Sequence, residues 1–228
     1  EFYSEQSVRL PHCFWCYSSK FDVPPVGVPP LETSGHITFG CPNSFIKVND
    51  VILALWSEIL AALPNSRMIL VAPPGEPRQR VLARLGVSAD RIDFAPRQSR
   101  RDYLRLYDRI DLVLDTFTYN GHTTNFDSLW MGVPFVTLAG RAGYSRAGLS
   151  LLTNLGLTEF IASSPREYVN LAIQMAEDRS KLAQLRGAPL RKRIEESRLM
   201  DGRSFARDFE SAYRMMWKRW CNGEAPRV

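Results

Sequence analysis

From His36 onward, short apolar runs alternate with longer segments whose apolar residues recur on one face, the pattern of parallel strands joined by crossover helices. The runs at 36–40, 67–72, 92–95, 110–114 and 134–138 predict strands, and the last has the unbroken apolar density of a strand covered on both faces. Asn49 is placed to cap the first intervening helix, whose Val51, Leu55, Trp56, Ile59, Leu60 and Leu63 are expected on one face until Pro64-Asn65 ends it. Residues 76–85, 100–107 and 123–131 predict further helices, with 115–122 a connection rich in turn formers. The order predicts an α/β fold, a Rossmann-like parallel sheet with flanking helices.

After Ser145 the texture changes to a helix at 149–155, a short strand at 159–162 and three helices from Pro165 to the end. The terminal helix carries Tyr213, Met216, Trp217 and Trp220, a stripe that fits core packing or docking onto a neighbouring domain equally well. Residues 23–31 hold many prolines without periodicity and read as a linker, and residues 1–16 as the tail of something that precedes it. No repeat at solenoid spacing is present.

Composition narrows the class. With 45% of 228 residues hydrophobic, the chain can bury one substantial core. It has no run of the ~18 to 20 apolar residues that a membrane span needs, and its first ten residues lack a secretory pattern, so a soluble cytoplasmic protein is expected, with its own start missing before Glu1. Cys13, Cys16, Cys41 and Cys221 are not spaced as two ligand pairs, and the Phe14-Trp15 centre of Cys13-x-x-Cys16 favours packing over a redox or zinc role. The net charge of +5 is carried mostly by scattered arginines, which suits phosphate recognition and offers no basic stripe for nucleic acid.

The most informative stretch runs from Asp115 to Asp127, where a flexible turn at a strand's carboxyl end leads into hydroxyl residues at a helix start. Ligands bind there in open parallel sheets, and helix amides with the helix dipole favour phosphate, so Thr123 and Thr124 are candidates to hold a diphosphate. Thr124-x-x-Asp127 is equally readable as a capping box. Asp127 suits ribose hydroxyls or the helix dipole, and His122, beside Gly121 in the loop, suits a ligand contact. Lys47 closes a second candidate loop that begins at Gly40 and includes Ser44, where a compact cation can approach phosphates or simply stay solvated. Arg97, Arg100, Arg101 and Arg105 form a basic group that either borders base and ribose or is a solvated helical face.

Asp115-Thr116, Asn120-Gly-His-Thr-Thr124, Leu129-Trp-Met-Gly-Val-Pro134, Val136-Thr-Leu-Ala-Gly140 and Ser145-Arg146 together resemble the C-terminal catalytic half of O-GlcNAc transferases, and Pro64-Asn-Ser66 and Met215-Met-Trp217 match as well. The likeness runs in order from about Gly40 to Trp220 and extends to bacterial tetratricopeptide-linked members and plant SPINDLY proteins. It implies the C-terminal lobe of a two-lobed GT-B glycosyltransferase that inverts the sugar, needs no metal or cofactor and takes a UDP-sugar donor and a protein acceptor. Residues 1–33 would then be the remnant of an N-terminal lobe and linker, and 34–228 the nucleotide-sugar lobe. The general base would lie outside this chain, on the missing lobe, with tetratricopeptide repeats before it.

Position by position, the resemblance gives Lys47, Thr123 and Thr124 the diphosphate, Asp127 and Arg100 the ribose, and His122 the loop between them. Arg100 stands for a family lysine, Ser44 for an amide, Tyr103 for a histidine beside the base and Leu106 for a common arginine, a loss that Arg105 is positioned in sequence to offset. Tyr103 can still stack on a pyrimidine. UDP-N-acetylglucosamine to serine or threonine is the leading expectation. Glucose transfer to asparagine, a GDP-fucose donor and a non-catalytic interaction lobe stay open.

Overall fold

The computed structural model describes residues 7–18 and 23–224. A one-turn helix, α1 (Pro30–Ser34), leads into an alternation of β1 (Thr38–Cys41), α2 (Asp50–Ala62), β2 (Arg67–Val71), α3 (Glu76–Leu85), β3 (Ile92–Ala95), α4 (Arg100–Arg105), β4 (Leu112–Leu114), α5 (Thr123–Trp130), β5 (Phe135–Leu138), α6 (Ala147–Asn154) and β6 (Ile161–Ala162). α7 (Pro165–Glu177), α8 (Arg179–Leu185), α9 (Ala188–Glu195) and α10 (Gly202–Cys221) follow. Every strand pair is parallel, and the order β3-β2-β1-β4-β5-β6 reverses direction between β1 and β4. The loops leaving β1 and β4 therefore open the crevice where ligands bind in such sheets.

α2 begins where the sequence places it, because the Asn49 side chain accepts from the Ile52 N–H at 3.0 Å. Its buried stripe is Ile52, Leu53, Trp56, Ile59 and Leu60. Val51 does not join it and is 61% exposed. At 100° per residue Val51 lies roughly 140° around the helix from Trp56, which sets it on the solvent side.

Among the described residues, four α-helices, rather than three, run from Pro165 onward. Asp178 ends α7 and caps α8 by accepting from the Lys181 N–H, and Gly187 supplies the positive φ of 86° that separates α8 from α9. β6 is shorter than expected because residues 158–160 form a 3-10 turn. α10 buries none of its side chains, and Tyr213, Trp217 and Trp220 are exposed. Within the described residues the stripe is thus not core. Among those residues no helix is long and apolar enough to cross a membrane.

The proline-rich segment is tied to the sheet, since Gly27 N–H donates to Asp108 Oδ1 at 3.0 Å and Leu31 N–H to Asp111 Oδ1 at 2.9 Å. Before it, Cys13 and Tyr17 are buried against the lobe, and Tyr17 N–H donates to the Leu199 carbonyl at 2.8 Å. The described part of the region read as a remnant thus packs on the lobe. Residues 1–6 and 19–22 of that region lie outside the described residues.

Candidate nucleotide site

Both halves of the crevice come from strand ends at the β1/β4 reversal. After β1, a 3-10 turn at Phe45–Lys47 brings the Lys47 ammonium to the Asn120 carbonyl at 2.8 Å and over the Tyr119 ring at 4.4 Å. Asn49 Nδ2 donates to the Phe117 carbonyl at 3.1 Å, so the two loops are stitched together. Half-burial pulls the Lys47 pKa below its usual value, against the pull of the Asp115 charge beneath it. A lysine ammonium has three donors, and the bond to Asn120 occupies one.

The loop after β4 is held from below by Asp115. Its carboxylate accepts from Gly121 N–H at 2.7 Å, Asn125 Nδ2 at 2.9 Å and Thr137 Oγ1 at 2.8 Å. Only glycine fits at position 121, because a Cβ there would stand 2.3 Å from Asn125 Oδ1 and 3.0 Å from Asn43 Nδ2. The loop ends at His122, which precedes α5 and presents no side-chain cap to it. Thr124 and Asp127 do not form the capping box that their spacing allows. The Asp127 carboxylate instead accepts from both terminal nitrogens of Arg100, at 2.6 and 2.5 Å, and from the Tyr17 hydroxyl at 2.8 Å. The Thr124 carbonyl accepts from the Tyr107 hydroxyl at 3.0 Å. With no side-chain cap from His122, the first amides of α5 depend on partners from outside the helix.

Two adjoining cavities share Ile46, Thr123 and Thr124. One, of about 540 Å³, is also lined by Lys47, Tyr119 and His122. The other, of about 770 Å³, adds Ser44, Arg97, Gln98, Arg100, Tyr103 and Asp127. Lys47, His122, Thr123 and Thr124 are therefore brought together, as are Ser44, Arg100, Tyr103 and Asp127. Arg105 lines neither cavity, and Leu106 is buried in the core. Arg101 lines neither as well.

His122 is stacked on Tyr119 at 5.2 Å, with Trp15 edge-on at 4.8 Å. Burial, with the nearby Lys47 charge, holds its pKa below the usual histidine value. Its Nε2 is buried and finds no partner among the described residues. Asn43, Tyr119 and Tyr17 belong to this neighbourhood and were not singled out from sequence. Tyr119 carried a local signal, an aromatic residue beside Asn120-Gly121 in the turn. Tyr17 carried none, lying 110 residues from its partner. Among the described residues no three His, Cys, Asp or Glu side chains gather where a metal ion could be held.

A model of glycosyl transferase family 41 matches residues 32–209. The chain belongs to glycosyl transferase family 41. The SPINDLY protein of Oryza sativa, which carries the name probable UDP-N-acetylglucosamine-peptide N-acetylglucosaminyltransferase, is 42% identical over 229 residues, 97% of this chain and 25% of that protein. The Arabidopsis thaliana protein SEC, named for the same activity, is 33% identical over 98% of this chain and 24% of its own length. Among solved structures, an O-GlcNAc transferase mutant from Thermobaculum terrenum superposes with a TM-score of 0.83 at 34% identity, across 96% of this chain and 42% of that one. Anabaena HepE, solved with UDP and glucose, shares the fold at a TM-score of 0.54 and 18% identity, over 79% of this chain and 50% of its own. The family 41 chain spans about a quarter of the length of the curated relatives it matches.

Proposed function

We propose that this family 41 lobe binds the diphosphate and nucleoside of a UDP-sugar and serves inverting transfer of N-acetylglucosamine to serine or threonine hydroxyls of proteins. The observation that carries the reading is the Lys47 ammonium, fixed 2.8 Å from the Asn120 carbonyl in the cavity it shares with Thr123 and Thr124. An anion entering that cavity meets a cation with donors to spare, two hydroxyls and the open end of α5. As the glycosidic bond breaks, negative charge grows on the departing diphosphate, and these groups are already in place to receive it. Loss of one such donor typically lowers the rate by ~10² to 10³.

The neighbouring cavity then takes ribose and base, with Tyr103 as a stacking surface and Arg97 and Gln98 at the edge. The proton on the acceptor hydroxyl must leave through a group supplied from outside this lobe, so the isolated lobe binds nucleotide and transfers nothing. Isothermal titration of UDP into the intact protein and into its Lys47→Ala, Thr124→Ala double variant tests the assignment. Unchanged affinity in the variant would refute it, and stronger protection by GDP than by UDP in thermal unfolding would move the donor to a guanine nucleotide.

A further inference from the structure

The Asp127 carboxylate is almost sealed. Its side chain is 2% exposed, whereas that of Arg100, which covers both oxygens, is 38% exposed and lines the larger cavity. A ribose hydroxyl can reach Asp127 only if Arg100 swings away, and the carboxylate would then lose two of the three side-chain donors it has among the described residues. A buried carboxylate left with no donor rotates or becomes protonated. Tyr17 is the donor that stays.

Its direction is fixed independently of Arg100. The Tyr17 ring is stacked on Phe126, with centroids 5.1 Å apart and planes at 10°, and leans on Trp130 at 6.0 Å, while its backbone N–H is bound to Leu199. Burial and the Asp127 charge push the phenol pKa well above 10, so the hydroxyl keeps its proton.

We propose that Tyr17 is a positioning residue for nucleotide binding, holding the Asp127 carboxylate in place when Arg100 moves aside and ribose hydroxyls take its position. The inference rests on the reading that these cavities receive a nucleotide. It assigns a role in the site to a residue that precedes the proline-rich segment.

Tyr17→Phe keeps the stacked ring and removes only the donor. UDP, 2′,3′-dideoxy-UDP and inorganic pyrophosphate are titrated into the intact wild-type protein and into the variant. UDP affinity is expected to fall about tenfold, the scale of one hydrogen bond to a charged group, while the two probes without ribose hydroxyls bind within about twofold of wild type. Cys13→Ala, a change in the same segment with no contact to Asp127, is expected to leave all three unchanged. The proposal is overturned if Tyr17→Phe binds UDP as wild type does, if it loses UDP and pyrophosphate in equal proportion, or if Cys13→Ala reproduces its selective loss. A wild-type protein that binds neither UDP nor pyrophosphate overturns the nucleotide reading itself, and this inference with it, before any variant is compared.

Discussion

Arg100 and Asp127 form a bidentate pair, the two terminal guanidinium nitrogens 2.6 and 2.5 Å from the two carboxylate oxygens. The geometry belongs to arginine, since a lysine ammonium is a single point that cannot span both oxygens. Because one partner is buried and the other partly solvated, the pair is worth less than a fully buried one and more than a surface contact. Arg100→Lys is expected to destabilise the fold by about 1 kcal/mol and Arg100→Ala by about 1 to 3 kcal/mol, lowering the thermal midpoint by ~2 to 4 °C per kcal/mol. A thermal-unfolding cycle with Asp127→Asn should return a coupling of about 1 to 2 kcal/mol. A coupling near zero would mean that the pair does not close over the carboxylate in solution.

Asp115 gives the protein a pH dependence of stability. It is fully buried, and that burial lifts its carboxyl from 3.8 to about 6 in spite of the donors around it and the nearby Lys47 charge. The folded state therefore binds this proton more tightly than the unfolded state, so the contribution to stability is greatest below about pH 4 and is lost as pH rises to about 6. A shift of this size corresponds to on the order of 3 kcal/mol. Urea unfolding of wild type and Asp115→Asn between pH 4 and 7 isolates it, because the other titrating groups are common to both. The wild type should lose stability relative to the variant across that window, and a pH-independent difference would contradict the assignment.

The sheet was legible because each strand is a short apolar run bounded by turn formers, and a parallel order needs little more than that with crossover helices between. The grouping of Lys47 with His122, Thr123 and Thr124 was legible for the same reason, since all four sit just beyond strand ends on the same side of the sheet and line one cavity. Partnerships across the fold were not. Thr124-x-x-Asp127 fits a capping box on local spacing, and what overrides it is Arg100, brought up on a different helix, together with Tyr17 from before the first strand. Local pattern also placed Val51 on the buried face, whereas it is exposed, and grouped Arg105 with Arg97 and Arg100, which line the larger cavity while Arg105 does not. The partners of Asp127 come from distant parts of the chain, which periodicity does not encode.

Tyr168 links the floor of the site to the helix layer. Its hydroxyl donates to the Asp115 carbonyl at 3.0 Å and accepts from Trp56 Nε1 at 3.2 Å, all within the buried core. Tyr168→Phe preserves the ring and strands two buried polar groups at once, the indole N–H and the carbonyl, and an orphaned buried group costs about 1 to 3 kcal/mol. The variant should therefore lose about 2 to 4 kcal/mol, seen as a thermal midpoint lower by roughly 5 to 15 °C. Trp56→Phe in the same background removes the stranded indole donor, so the double variant should lose less than the sum of the singles. If the two losses simply add, or if Tyr168→Phe unfolds with the wild-type midpoint, the Trp56–Tyr168–Asp115 chain does not support the site.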